Sequence, residues 1–334
     1  MTKRIVMKDV ANLAGVSAQT VSRVLSGKGY VSEQTRAKVQ QAVSQLGYRP
    51  NIAASSLASG KSQLVGVLIV GELSYGRALA YIRFEQLQSK KCHFVVSASA
   101  EPTESAELRE SLDFLQSIHP QALVIISQNQ AAVNLLLPHL SQPAVIAMNH
   151  PVPSSEVGRV ELEQVDSTTA LLTHLYERGC RRIAHLSPDI DEVDAIVRKN
   201  TYIDFCQKNS LAPLIIPVRD WSAKAGFAAA HALAKGAFDA IFAANDYLAL
   251  GAAECLENDE NLLPGRDYAL AGFDDLEASV YSRGGLTTVR QKFPELATAI
   301  DSQIVDQLAG RPPAVVKIEN ELIVRGSSAN FSRH

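Results

Sequence analysis

From Leu64 onward, short apolar runs alternate with helical stretches, and this alternation restricts the fold more than any other feature of the chain. Leu64–Val70, His93–Ser97, Ala122–Ile126 and Ala144–Met148 are such runs, separated by helical patterns near 77–90, 104–117 and 130–140. Apolar runs of this length without polar alternation predict strands buried on both faces, and helices between them predict a parallel sheet covered on each side. The pattern then recurs in Arg182–Leu186, Leu214–Val218, Ala240–Ala244 and Tyr268–Gly272, with helices near 193–209, 223–235 and 246–258. Two doubly wound subdomains are expected. Helix 167–178 is expected to return to the first half of the second, and Leu286–Gln291 with helix 294–309 to sit near the crossover between them.

Residues 1–50 are different. Three short helices are predicted there: Met7–Ala14, a second from Ser17 to about Leu25, and a third opened by Ser32 and closed by Gly47. Val10, Ala11 and Ala14 share one side of the first, and Val39, Ala42, Val43 and Leu46 repeat at helical spacing in the third. Charge divides in the same place. Residues 1–61 hold nine Lys or Arg against Asp9 and Glu33, a balance of +7; the remainder holds 23 against 33, a balance of −10. A compact basic head on an acidic body points to a polyanionic partner for the head alone.

The head carries the most specific motif, Asp9-Val10-Ala11-Asn12-Leu13-Ala14-Gly15-Val16-Ser17-Ala18-Gln19-Thr20-Val21-Ser22-Arg23-Val24-Leu25. A helix-turn-helix needs a small residue where its helices cross, a turn residue that tolerates positive φ, and apolar plugs behind the second helix. Ala11, Gly15, and Val21 with Val24 fill these roles. Ser17 is the expected cap of the second helix, whose outward face presents Ala18, Gln19, Ser22 and Arg23. Gln pairs with adenine, Arg with guanine, and Ser with phosphate.

These residues, with Val31-Ser32, Thr35-Arg36, Val39 and Gly47-Tyr48-Arg49-Pro50-Asn51, resemble the head of the lactose-repressor/galactose-repressor (LacI/GalR) family of transcription regulators. The resemblance continues through Asp220-Trp221-Ser222-Ala223, Ala244-Asn245-Asp246, Gly272-Phe273-Asp274-Asp275 and Leu286-Thr287-Thr288-Val289-Arg290-Gln291. It implies a small all-α helix-turn-helix head (1–50), a hinge helix and linker (51–62), and an α/β body like periplasmic binding proteins (63–334), with the effector between two lobes. It also implies a hinge helix over 51–59 that forms on palindromic operator DNA. There Asn51 and Ala54 lie against the DNA, Ala53 and Ala54 allow two helices to approach, and Leu57 wedges into the minor groove. Ile52 departs from the pattern, standing where a basic residue is common. No leucine heptad follows Gly326, so a homodimer is expected.

In open α/β sheets, ligands bind beyond the carboxyl ends of the strands. The resemblance assigns Arg198, Trp221, Asn245 and Asp274 to the effector pocket, with Gln291 and Phe293 at its wall. Paired hydrogen bonds from Asp, Asn and Arg suit sugar hydroxyls, and an indole suits a sugar's apolar face. On the first lobe Ser74, Tyr75 (with Arg77), Ser127 and Asn149 stand at contact positions. Asn149 occupies a position where a carboxylate is found in the lactose-repressor branch, and Asp194 one often filled by Ser. A sugar-like effector is expected, with a purine-type corepressor as the alternative.

Other classes fit less well. No P-loop, dinucleotide fingerprint, nucleophile elbow or zincin motif occurs, and no enzyme is expected. Cys92, Cys180, Cys206 and Cys255 are widely spaced and never form C-x-x-C, so free thiols are expected, with no metal and no cofactor. Met1–Asp9 lacks an apolar signal core and no run of about 18 apolar residues exists, so a cytoplasmic protein is expected rather than a secreted solute-binding one.

Overall fold

The computed structural model describes residues 5–26, 30–49, 62–141, 143–148, 156–233 and 236–331. Two compact units result, Met1–Gln63 and Leu64–His334.

The first unit holds α1 (Met7–Ala14), α2 (Ala18–Ser26) and α3 (Glu33–Leu46). Each boundary has a local cause. The Asp9 carboxylate accepts the Val6 amide at 2.9 Å, and Gly15 ends α1 at φ 67°. Ser17 Oγ accepts the Thr20 amide at 3.1 Å at the start of α2. Ser32 does the same for Thr35 in α3, which Gly47 closes at φ 60°. Val10, Ala11, Val21, Val24, Val39, Ala42 and Tyr48 bury one small core between the helices.

The second unit has two lobes. The first is a six-stranded parallel sheet in the order β11-β5-β4-β3-β1-β2, built from β1 (Leu64–Val70), β2 (Phe94–Ala100), β3 (Ala122–Ile126), β4 (Ala144–Ala147), β5 (Gly158–Leu162) and β11 (Val315–Ile318). Alternate strand residues enter opposite cores. Val65, Val67 and Ile69 meet α4 (Tyr75–Lys90) and a late helix, Phe293–Leu308. Leu68 and Val70 meet α5 (Ser105–Ser117) and α6 (Gln130–Leu136). The second lobe has the parallel order β7-β6-β8-β9, from β6 (Ile183–Pro188), β7 (Leu214–Val218), β8 (Ala240–Ala243) and β9 (Ala269–Ala271). One face packs on α7 (Val165–Glu177) and α8 (Val193–Lys208), the other on α9 (Ala223–Ala230) and α10 (Asp246–Glu260). The short α11 (Glu277–Tyr281) follows, and β10 (Thr288–Arg290) pairs antiparallel with β12 (Glu321–Ile323). The late helix Phe293–Leu308 is α12, and α13 (Gly326–Ala329) follows β12.

Several boundaries differ from the sequence expectation. The strands β5, β11 and β12 are additional to it. Helix 130–140 stops at Leu136 and tightens to a 3₁₀ turn carrying Pro138, and helix 223–235 stops at Ala230. α12 belongs wholly to the first lobe, because Leu296, Ala297, Ile300 and Ile304 fill that lobe's core. The chain therefore crosses between lobes three times, at Glu163-Gln164, Gln291-Lys292 and Glu319-Asn320. The crossings lie side by side: Asn320 Nδ2 donates to the Glu163 carbonyl at 2.6 Å, and Gln164 Nε2 to Gln291 Oε1 at 3.2 Å.

Candidate effector cleft and recognition helix

The carboxyl ends of both sheets converge on one cleft of about 800 Å³. Gly71 follows β1, Glu101 follows β2, Gln128 and Asn129 follow β3, Asp191 follows β6, Trp221 follows β7, Asn245 follows β8 and Asp274 follows β9, and all line it. Of the residues expected at the pocket, Ser74, Tyr75, Arg198, Trp221, Asn245, Asp274 and Gln291 line the cleft together. Two do not. Ser127 is fully buried behind it, and its Oγ is engaged by the backbone of Asn129. Phe293 sits in the first-lobe core, edge-on to Tyr75 with ring centres 6.4 Å apart. Asn149 lies outside the described residues, as do Asn51, Ala53, Ala54 and Leu57 of the expected hinge.

Arg198 organises the second-lobe wall. It is 2% exposed, stacks its guanidinium 3.7 Å from the centre of the Phe273 ring, and donates to Gln164 Oε1 (3.0 Å), the Ala244 carbonyl (2.6 Å) and Asp194 Oδ2 (3.4 Å). Gln164 hands on to Gln291, whose Nε2 donates to Asp274 Oδ1 at 2.6 Å. The crossings and the cleft floor are thus one hydrogen-bonded chain. Burial pushes the Asp274 carboxyl up to about 7, with Asp246 and Asp194 adding repulsion while Arg198 and Gln291 oppose the rise. Burial likewise raises Asp194 above the ordinary carboxylate range despite Arg198.

The adjacent acids have other duties. Asp246 is fully buried and accepts from Thr288 Oγ1, Ser279 Oγ and the Leu276 amide, so it ties α10 to α11 and β10. Asp275 turns to Arg290 and Arg325, at 2.7 and 2.6 Å. Asn245 caps α10 through the Leu248 amide and also donates to the Trp221 carbonyl. It therefore holds the Trp221 backbone as well as lining the cleft.

Contacts unmarked in the sequence join the lobes. Arg77 Nη1 reaches Gln128 Oε1 and Glu192 Oε1, both at 2.9 Å. Glu192 Oε2 accepts the Trp221 indole N–H at 2.9 Å. Gln128 Nε2 donates to Asp194 Oδ2 at 2.6 Å, its carbonyl accepts the Val193 amide, and Asn129 Nδ2 donates to the Asp191 carbonyl. Gln128, Gln164 and Glu192 carry this network. No single-residue pattern signals them, because their partners lie tens of residues away.

In the head, Ser17, Ala18, Gln19, Ser22 and Arg23 are all exposed, while Val21 and Val24 of the same helix are buried. α2 therefore offers one polar face with a basic residue and is anchored by the other. Among the described residues, no helix is long and apolar enough to cross a membrane.

Comparison with known proteins agrees with both units. Residues 6–51 match the model of bacterial regulatory proteins of the lacI family, and residues 172–328 match a periplasmic binding protein-like domain. The lactose operon repressor of Escherichia coli K12 is 30% identical over 307 residues, 90% of this chain and 84% of that protein. A crystal structure of the lac repressor dimer bound to operator and the anti-inducer ONPF superposes with a TM-score of 0.86 at 27% identity, covering 98% of this chain and 99% of that one. A complex of the transcriptional regulator CelR with cellobiose matches with a TM-score of 0.70 at 25% identity, covering 97% and 100%. The chain is a transcription regulator and belongs to the lacI family of bacterial regulatory proteins.

Proposed function

We propose that this chain is a dimeric repressor whose affinity for a palindromic operator is set by an uncharged sugar bound between the lobes. The recognition face of α2 reads the operator, with Gln19 and Arg23 on base edges and Ser17 and Ser22 on phosphates. Leu57 is its minor-groove wedge, and Asn51 and Ala54 flank it. The relatives support this reading: one was solved as a dimer on operator, another with cellobiose. A regulator that reads DNA works in the cytoplasm.

The observation that carries the effector class is the cleft's charge. Among its described lining residues, Glu72, Glu101, Asp191, Glu192, Asp194, Asp220 and Asp274 face Arg77 and Arg198. Both arginines already donate to protein acceptors. A phosphorylated sugar or a nucleotide would meet an excess of like charge, whereas sugar hydroxyls donate to carboxylates. Trp221 supplies the surface for the sugar's C–H face. The cleft is read as a binding site: Asp274 turns to Gln291 and Asp275 to Arg290 and Arg325, so this adjacent pair does not readily flank one bond.

A thermal-shift screen of neutral sugars, sugar phosphates and purines, followed by operator titration with each hit, tests this. Neutral sugars should stabilise the protein and change its operator affinity. Stabilisation by purines or sugar phosphates alone would overturn the effector assignment.

A further inference from the structure

Helices α9 and α10 both begin at the cleft and end away from it, and their far ends bring together three side chains that effector binding does not use. His231 stands one residue past α9, and Cys255 and Asp259 lie four apart on one face of α10. Ten residues of helix separate Cys255 from Asn245, a distance of about 15 Å. We propose that His231, Cys255 and Asp259 form a surface site for a divalent transition-metal ion of the zinc type.

The spacing and the chemistry of the three side chains suit a cation between them. Cys255 Sγ lies 3.7 Å from His231 Nδ1 and 3.6 Å from Asp259 Oδ2, and that nitrogen and oxygen are 3.4 Å apart. A nitrogen and a carboxylate oxygen that bond directly prefer about 2.7–2.9 Å. Ligands on a tetrahedral zinc, with bonds of about 2.0–2.3 Å, stand roughly 3.3–3.6 Å from one another. The three atoms are therefore spaced like zinc ligands, while Sγ also lies 3.8 Å from His231 Nε2 and so faces the ring; the exposed imidazole turns to aim a nitrogen at the ion. Imidazole, thiolate and carboxylate are each zinc ligands, and the thiolate disfavours Mg²⁺ and Ca²⁺. His231 and Asp259 are exposed while Cys255 is buried, so the fourth corner opens to solvent and can take water.

The scaffold keeps the three side chains together. A Cβ on Gly251 would stand 1.9 Å from the Ala223 carbonyl oxygen, and one on Gly226 2.2 Å from that of Leu248. The two helices thus touch backbone to backbone, which sets the gap their far ends must span. The Phe227 ring packs edge-on against His231 at 5.6 Å and limits where the imidazole can go.

Cobalt is the probe for a thiolate-containing site. Full-length protein, prepared metal-free and without a histidine tag, is titrated with Co²⁺. One equivalent per chain should bind with a near-ultraviolet thiolate-to-cobalt absorption band, and Zn²⁺ should bleach it. Cys255→Ser should abolish the band, and Cys92→Ser, which alters an exposed thiol elsewhere, should leave it. Asp259→Asn, a surface change that leaves the core intact, and His231→Ala should each weaken Co²⁺ binding by about tenfold or more. No band in the unaltered protein, a band that survives Cys255→Ser, or unchanged affinity in Asp259→Asn would overturn the site.

Discussion

Arg77 on α4 and Glu192 at the N-cap of α8 form an ion pair of 2.9 Å that spans the two lobes. The same Glu192 carboxylate holds the indole N–H of Trp221, the chain's single tryptophan. Lobe closure and the indole's environment are therefore coupled through one side chain, and the emission of Trp221 reports on both.

Glu192→Gln should loosen this latch. It removes the charge opposite a buried guanidinium while nearly keeping the shape, and the expected cost is about 1–3 kcal/mol of stability. Without effector, the tryptophan emission should shift to the red, toward that of a solvated indole. Steady-state fluorescence and urea denaturation read both. An unchanged spectrum would mean that Glu192 does not hold the indole in solution.

Arg198→Met should be more damaging. It leaves Asp194 buried without its cation and frees the Gln164 amide that joins the crossings to the cleft. Breaking a buried pair in this way costs about 3–5 kcal/mol. Arg198→Lys keeps the charge but loses the planar fork and the stacking on Phe273, so it should recover only part of the stability and little effector affinity. Paired denaturation and calorimetric titration separate the two effects.

Asp274 predicts a pH dependence. Its folded pKa of about 7 lies above the unfolded carboxylate value, so the folded state holds the extra proton between the two. The group therefore favours folding at acid pH, and that contribution declines as pH rises from about 4 to about 7. A sugar hydroxyl that donates to the carboxylate needs it ionised, so effector affinity should rise as pH rises through 7. Asp274→Asn should still bind operator, lose most of the effector response, and flatten that pH profile. Operator titrations with and without effector across about pH 6 to 8 decide it.

In the head, Arg23→Ala and Gln19→Ala should each lose about 1–3 kcal/mol of operator binding, with less effect on non-specific DNA. Operator affinity should fall steeply with salt as counterions are released. Fluorescence anisotropy at several salt concentrations, on operator and on scrambled duplex, is the measurement. Equal losses on both duplexes would move these residues from base reading to phosphate contact.

Gly251→Ala should destabilise the second lobe by about 1–3 kcal/mol or more, since the added methyl meets backbone that cannot move aside without parting α9 from α10. Thermal melts give the size of the loss. A melting point at the parent value would show that the helices tolerate separation.

Features that depend on near neighbours are legible along the chain. Ser17, Ser32, Gly15 and Gly47 delimit the head helices through bonds reaching only a few residues, so spacing alone reveals them. The central strands β1, β3 and β8 are buried on both faces, which leaves apolar runs that are plain to read. The remaining features come from contacts between distant segments. The edge strand β11 is partly exposed along its length and carries Lys317, while β5 carries Arg159 and Glu161, so neither spells a continuous apolar run. Their places follow from pairing, which propensity does not encode. In the cleft, Arg198, Trp221, Asn245 and Asp274 stand in recognisable motifs, but Gln128 meets Asp194 from 66 residues away and Gln164 meets Gln291 from 127. An amide acquires such a role only when the fold buries it beside a partner it must satisfy. His231 and Cys255 likewise meet only because two glycines let their helices touch.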